Sequence, residues 1–174
     1  MLFFGRSYNM KCLCFSDSHG TSAYMRRALK MHPDAEVIFF LGDGLSDLEE
    51  LIYDRTRAWF AVKGNCDYIS EVGGVLVKKL DFITLSGKKI LFTHGDLYGV
   101  KYGMDGITSL ARENDADIAL FGHTHEPLEK YLSDGERPLY LFNPGSAGAP
   151  YRYPTSYGVI EISEKGILLS HGSF

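Results

Sequence analysis

Seven side chains able to bind a metal ion punctuate this 174-residue chain: Asp17, His19, Asp43, Asn65, His94, His123 and His125. They supply four imidazoles, two carboxylates, one amide oxygen and no thiolate. A single ion takes three or four protein ligands, so seven donors suggest two ions sharing one ligand. The shared ligand is expected to be a carboxylate, whose two oxygens can bridge. The mixed oxygen and nitrogen set suits Mn, Fe, Zn, Ni or Co better than Mg alone or a soft-metal site, with Mn the first expectation. Two cations roughly 3.5–4 Å apart clamp a phosphate, acidify a water between them and steady the leaving oxygen. The chemistry to expect is hydrolysis of a phosphate ester.

Those residues must be brought together, and the pattern of apolar runs says how. Residues 10–16, 35–43 and 57–67 read as strands, and 21–32 and 45–54 as helices with apolar residues at helical spacing. Thr21 or Ser22 is placed to cap the first helix, and Ser46 with Glu49 matches a capping box in the second. Residues 75–96 read as a hairpin turning at Ser86-Gly87, 103–116 as a helix and 117–126 as a strand. Residues 129–146 and 157–172 read as hairpins turning at Asp134-Gly135 and near Glu164-Lys165-Gly166. Five apolar runs end in polar clusters: Asp17-Ser18-His19, Gly42-Asp43, Gly64-Asn65, His94-Gly95 and Gly122-His123-Thr124-His125. In open α/β sheets, sites gather beyond the carboxyl ends of strands, so five such ends predict one convergent centre. The order of elements predicts an α/β (α+β) chain, βαβαβ first and strand-rich later, with 10–174 a single domain and 1–9 an N-terminal extension.

The segments DSHG, GD, GNCD, THG and GHTH, in this order, resemble the calcineurin-like metallophosphoesterases. The small size, GNCD, NPGS (143–146) and SYGVIEI (156–162) resemble the YfcE-type phosphodiesterase subfamily. The resemblance implies two packed β-sheets flanked by helices, and two divalent metal ions with a bridging hydroxide that attacks phosphorus in line. It implies that Asp17, His19 and His125 hold one ion, that Asn65, His94 and His123 hold the other, and that Asp43 bridges. Asp43, Asn65, Cys66 and Asp67 form the expected catalytic set, with Asp67 orienting a neighbouring ligand. Two positions depart from the family pattern. Cys66 stands where many members carry a His that the resemblance implies protonates the leaving group or contacts phosphate. Asp96 stands where many carry a second His after THG. Cys66 either packs at the rim or touches substrate, and the departure favours activated or diester substrates. Asn143-Pro144-Gly145-Ser146 is either a turn or a phosphate-facing loop.

Composition bounds the remaining classes. The formal charge of −4 gives no basic footprint, so stable nucleic-acid binding is not expected. No apolar run reaches membrane-spanning length, and MLFFGRSYN lacks the layout of a signal peptide. Three cysteines without framework spacing point to a reducing, cytoplasmic setting, with Cys12 and Cys14 in a core. His32 and His171 fall outside every motif and are expected at the surface. The partner expected is a small phosphate ester, and aromatics of YRYPTSY (151–157) would line a contact in a homo-oligomer. A non-catalytic scaffold resembling the retromer subunit of similar size is the alternative, and the intact donor set favours the enzyme.

Overall fold

The computed structural model describes residues 9–134 and 137–174. Strands β1 (Met10–Phe15) and β2 (Val37–Phe40) run parallel, as do β2 and β3 (Ala58–Ala61). Both faces of β1 and β2 are covered, which is why they read as unbroken apolar runs. Cys12, Cys14, Val37 and Phe39 point inward, while Leu13, Phe15, Ile38 and Phe40 point to the helical side. Helix α1 (Ala23–Met31) covers that outer face with Met25, Ala28 and Leu29, one stripe at helical spacing. Ser22 occupies the N-cap, but its hydroxyl accepts from Arg26 Nε, and Thr21 Oγ1 instead takes the Ala23 N–H.

The middle of the chain departs from the sequence reading. The helix expected over 45–54 is one 3-10 turn, Leu45–Leu48, followed by hydrogen-bonded turns that keep Leu45, Leu48 and Leu51 buried. The expected capping box of Ser46 and Glu49 does not form: Gly44 occupies the N-cap, with no side-chain cap bond. Asp47 turns away to accept from Ser18 Oγ and from the Gly20 N–H, and the Gly44 and Leu45 N–H groups bond to Asp67. Asp67 thus caps the turn from another loop, and Asp47 is committed to the loop after β1. The short hairpin β4 (Glu71–Val72) and β5 (Val75–Leu76) was not anticipated. It turns at Gly73-Gly74, both at positive φ, the combination a tight two-residue hairpin favours.

Strands β6 (Leu80–Leu85) and β7 (Lys88–Thr93) form the expected hairpin at Ser86-Gly87. Helix α2 (Asp105–Glu113), β8 (Ile118–Leu120), β9 (Pro127–Leu132) and β10 (Leu139–Pro144) follow. The β9–β10 hairpin is present, but Gly135 of its expected turn lies outside the described residues, as does most of the 1–9 extension. The chain closes with the antiparallel pair β11 (Ser156–Ser163) and β12 (Gly166–Ser173). One sheet has the order β12-β11-β1-β2-β3 and the other β6-β7-β8-β10-β9. Phe39, Phe92, Leu120, Phe142 and Ile160 fill the space between them, with Cys12 and Cys14 as free buried thiols among them. Helix α2 buries Ile107 and Ala111 on the outer face of the second sheet. The fold is a two-sheet β-sandwich flanked by helices, as expected. Parallel β1, β2 and β3, and parallel β7, β8 and β10, send their carboxyl ends to the same edge.

Candidate metal centre

At that edge the loops are laced to one another by backbone hydrogen bonds. The Asp17 N–H donates to Gly42 O, the His19 N–H to Asp43 O, and the Gly122 N–H to His94 O. Such close approach excludes side chains. A Cβ on Gly42 would lie 2.4 Å from Gly64 N, one on Gly64 would lie 2.1 Å from Asp43 Oδ1, and one on Gly122 would lie 1.9 Å from Ser16 Oγ. The backbone also takes an uncommon shape. Asp17, His19, Asp43, His123 and His125 all have positive φ, between 44° and 68°. Non-glycine residues seldom adopt this region, and strain of this kind clusters at functional sites.

The seven expected residues converge. His125 Nε2 lies 3.1 Å from Asp17 Oδ1 and 3.3 Å from His19 Nε2. His94 Nε2 lies 3.1 Å from Asn65 Oδ1, 3.1 Å from His123 Nδ1 and 3.3 Å from Asp43 Oδ2. Asp43 Oδ2 is also 3.9 Å from His19 Nε2, so this carboxylate stands between the two clusters. Asp17, His19 and His125 form one group whose donor atoms lie mutually within 4.8 Å; Asp43, His94 and His123 form another.

The protonation pattern shows that cations fit. His94 Nδ1–H donates to Leu41 O at 2.8 Å, and His125 Nδ1–H donates to Ala149 O at 2.7 Å. Carbonyl oxygens only accept, so each neutral ring turns a bare Nε2 lone pair inward. Around His94 those lone pairs face an amide oxygen and a carboxylate oxygen, which are acceptors too. Asp17 Oδ2 is satisfied by Ser16 Oγ–H at 2.5 Å and the His123 N–H at 3.1 Å, but Asp17 Oδ1 is buried without a partner. Converging acceptors and an orphaned buried oxygen call for positive charge between them. The electrostatics agree. Burial opposes ionisation of Asp17, yet any proton placed on the inward nitrogens of His125 and His19 is shared with its carboxylate, which outweighs burial and holds the carboxyl well below its usual range. Burial likewise opposes the imidazolium of His94, but Asp43 and Asp17 push its proton affinity up; Asp17 does the same for His125. His123 moves down, through burial and the charges of His94 and Lys101.

Asp67 does not face the cluster. Its Oδ1 accepts the Gly44 and Leu45 N–H groups and its Oδ2 those of Asp43 and Gly64, all at 2.8–2.9 Å. It ties the loop after β2 to the loop after β3 and positions Asp43. Cys66 is nearer the donors than a rim residue needs to be, its sulfur grouping with His19 and Asp43 within 4.8 Å. Its N–H donates to Asp43 Oδ1 at 2.7 Å. Burial and the Asp43 carboxylate push its thiol up to about 11, so it stays neutral near pH 7. Asp96 pairs with Lys79 at 3.7 Å.

Asn143-Pro144-Gly145-Ser146 is a buried brace, and the phosphate-facing reading is set aside because Asn143 and Ser146 are wholly buried. Asn143 Nδ2 donates to Gly122 O and Thr124 Oγ1, and Ser146 Oγ donates to Asp17 O, so the segment holds two donor loops. The YRYPTSY aromatics divide. Tyr157 is buried against Phe15 and Phe174, while Tyr151 is exposed and lies over His125. His32 is half-buried, with Nε2 2.9 Å from Tyr157 Oη. His171 is exposed, but donates to Asn143 O and stacks on Phe142. Sequence reasoning missed Ser16, Lys101 and Tyr151. Only Ser16 carried a signal, lying beside Asp17.

The calcineurin-like phosphoesterase superfamily domain matches residues 10–165. The chain is 33% identical over 154 residues to the probable metallophosphoesterase YsnB of Bacillus subtilis, covering 88% of this chain and 85% of that one. It is 28% identical over 174 residues to the phosphodiesterase YfcE of Escherichia coli K12, covering 87% and 88%. Among solved structures, a predicted phosphoesterase of Streptococcus pneumoniae TIGR4 superposes with a TM-score of 0.77 at 22% identity, covering 95% and 90%. Vacuolar Protein Sorting 29 from Cryptosporidium parvum superposes with a TM-score of 0.74 at 14% identity, covering 96% and 98%.

Proposed function

Since this chain belongs to the calcineurin-like phosphoesterase superfamily, we propose that it is a metal-dependent phosphodiesterase working with two divalent ions, manganese first among Mn, Ni, Zn, Fe and Co. Asp17, His19 and His125 would hold one ion, and Asn65, His94 and His123 the other. Asp43, between the clusters, would serve both. The observation that carries this reading is the orphaned Asp17 Oδ1 opposite the inward lone pair of His125, repeated in kind at His94. When bound, such ions supply Lewis-acid charge to a phosphoryl group and lower the pKa of water.

The chain's own residues shape the rest. Leu41 O and Ala149 O fix the tautomers of His94 and His125, and Asp67 fixes the backbone of Asp43. Cys66 offers a neutral thiol where family members often offer an imidazole, so it brings no cationic proton donor to a departing alkoxide. That favours diesters with good leaving groups, aryl phosphodiesters foremost, over alkyl monoesters. The fold likeness to Vacuolar Protein Sorting 29 supports a scaffold as the second reading; the complete donor set weighs against it. The deciding experiment loads the purified protein with Mn and follows bis(4-nitrophenyl) phosphate. Turnover that needs the metal and falls at least a hundredfold in Asp43→Asn is expected. Two bound ions without turnover would leave the scaffold.

A further inference from the structure

The donor side chains are not held equally. His94 and His125 each donate Nδ1–H to a backbone carbonyl, and Asp43 is braced from the loop after β3 by Asp67 and the Cys66 N–H. His19 has no such tether. Its side chain is 28% exposed, and among the described residues its ring makes no hydrogen bond to a backbone carbonyl. Its Nε2 faces His125 at 3.3 Å, Asp17 at 3.8 Å and Asp43 at 3.9 Å. The place of this ring is therefore set by the backbone beneath it.

That backbone is bracketed by one carboxylate oxygen. Asp47 Oδ2 accepts Ser18 Oγ–H at 2.5 Å and the Gly20 N–H at 2.9 Å, from the residues on either side of His19. The His19 N–H itself donates to Asp43 O at 3.1 Å. The packing leaves little slack: a Cβ on Gly44 would lie 1.9 Å from Ser18 Oγ, 2.8 Å from Asp47 Oδ2 and 3.2 Å from His19 N. His19 has φ of 44° and Gly20 of 95°. A left-handed backbone at a non-glycine residue persists where its surroundings enforce it. Here the enforcing groups are Asp47 Oδ2 and Asp43 O.

We propose that Asp47 is a positioning residue for His19, and that it sets the affinity of the ion held by Asp17, His19 and His125 without governing the ion at His94 and His123; this rests on the two-ion reading of the donor set. Asp67 offers the contrast. It anchors Asp43, which would serve both ions, whereas Asp47 anchors a residue that would serve one. A single oxygen of Asp47 takes both bonds, so asparagine can replace it. Groups that orient a metal ligand from behind commonly change metal affinity by about 10–100-fold.

Manganese titration of the metal-free protein tests this without turnover. Calorimetry counts the binding steps, and electron paramagnetic resonance tells an isolated Mn ion from a coupled pair. Asp47→Ala should weaken one step by about 10–100-fold and leave the other within about twofold. Asp47→Asn should bind as the wild type does. Ser18→Ala, which removes one of the two bonds, should fall between, and it carries the test if Asp47→Ala does not fold. His19→Ala should weaken the same step. Adding Asp47→Ala to His19→Ala should cost nothing further, because Asp47 acts through that ring. Additive losses, equal weakening of both steps, or an asparagine variant as weak as the alanine one overturns the proposal. A wild type that binds only one ion removes the two-ion reading as well, whereas two ions bound unchanged in Asp47→Ala sinks this proposal alone.

Discussion

Replacing Asp67 by asparagine probes the brace beneath the Asp43 carboxylate. In the native protein each carboxylate oxygen accepts two backbone N–H groups: Oδ1 those of Gly44 and Leu45, Oδ2 those of Asp43 and Gly64. Asparagine retains one acceptor oxygen and turns an NH₂ toward the other pair of donors, so two of the four bonds are lost. At about 1.5 kcal/mol for each hydrogen bond to a charged group, the loss is about 3 kcal/mol. For a chain of this size, each kcal/mol lowers Tm by about 2–4 °C, which gives a drop of about 6–12 °C. Differential scanning calorimetry of the metal-free proteins reads this directly. Metal titration of the same variant should show weakened binding, since Asp43 loses its backbone anchor. A Tm within about 2 °C of wild type would refute the brace. If kcat fell while Tm held, Asp67 would be touching substrate after all.

Gly122→Ala should destabilise by about 1–3 kcal/mol and weaken metal binding, because the added methyl meets Ser16 Oγ and Asp17 Oδ2; urea unfolding and metal titration check both. In the metal-free protein, His94 titrates above its ordinary value because the Asp43 and Asp17 carboxylates outweigh burial. Its stabilising contribution is complete below about pH 6.5 and is lost as the pH rises through the folded-state value. Unfolding midpoints of wild type and His94→Gln should therefore converge from pH 6 to pH 8, and a constant gap would contradict the shift. Cys66→His should raise kcat/KM for an alkyl monoester relative to an aryl diester, by up to about a hundredfold. A ratio that stays put means the loops, not Cys66, set the preference.

The sequence by itself picked out the candidate donors and the edge at which they meet. Apolar runs ending in Gly-Asp, Gly-Asn or Gly-His carry their own punctuation, and parallel strands must deliver their ends to one side. The two-sheet architecture followed from the family resemblance that the ordered motifs carry, while the pattern of elements gave only βαβαβ followed by strands. The tertiary structure decided what local pattern does not encode. The apolar spacing of residues 45–54 suits a helix, yet only a 3-10 turn forms, its first N–H groups capped by Asp67 from another loop and its Asp47 committed to Ser18 and Gly20. NPGS resembles an ordinary turn, and Asn143 Oδ1 does take the Gly145 N–H, but Asn143 Nδ2 and the Ser146 hydroxyl donate to Gly122, Thr124 and Asp17, partners 19 or more residues distant. Asp67 reads as a carboxylate beside a ligand; only folding brings four N–H groups to it. Left-handed backbone at five donors, and the stack of Tyr151 on His125, also arise only when the loops pack against one another. Residue types and strand ends are local properties and can be read along the chain. Which oxygen is left without a partner depends on groups distant in sequence, and the packed structure alone decides it.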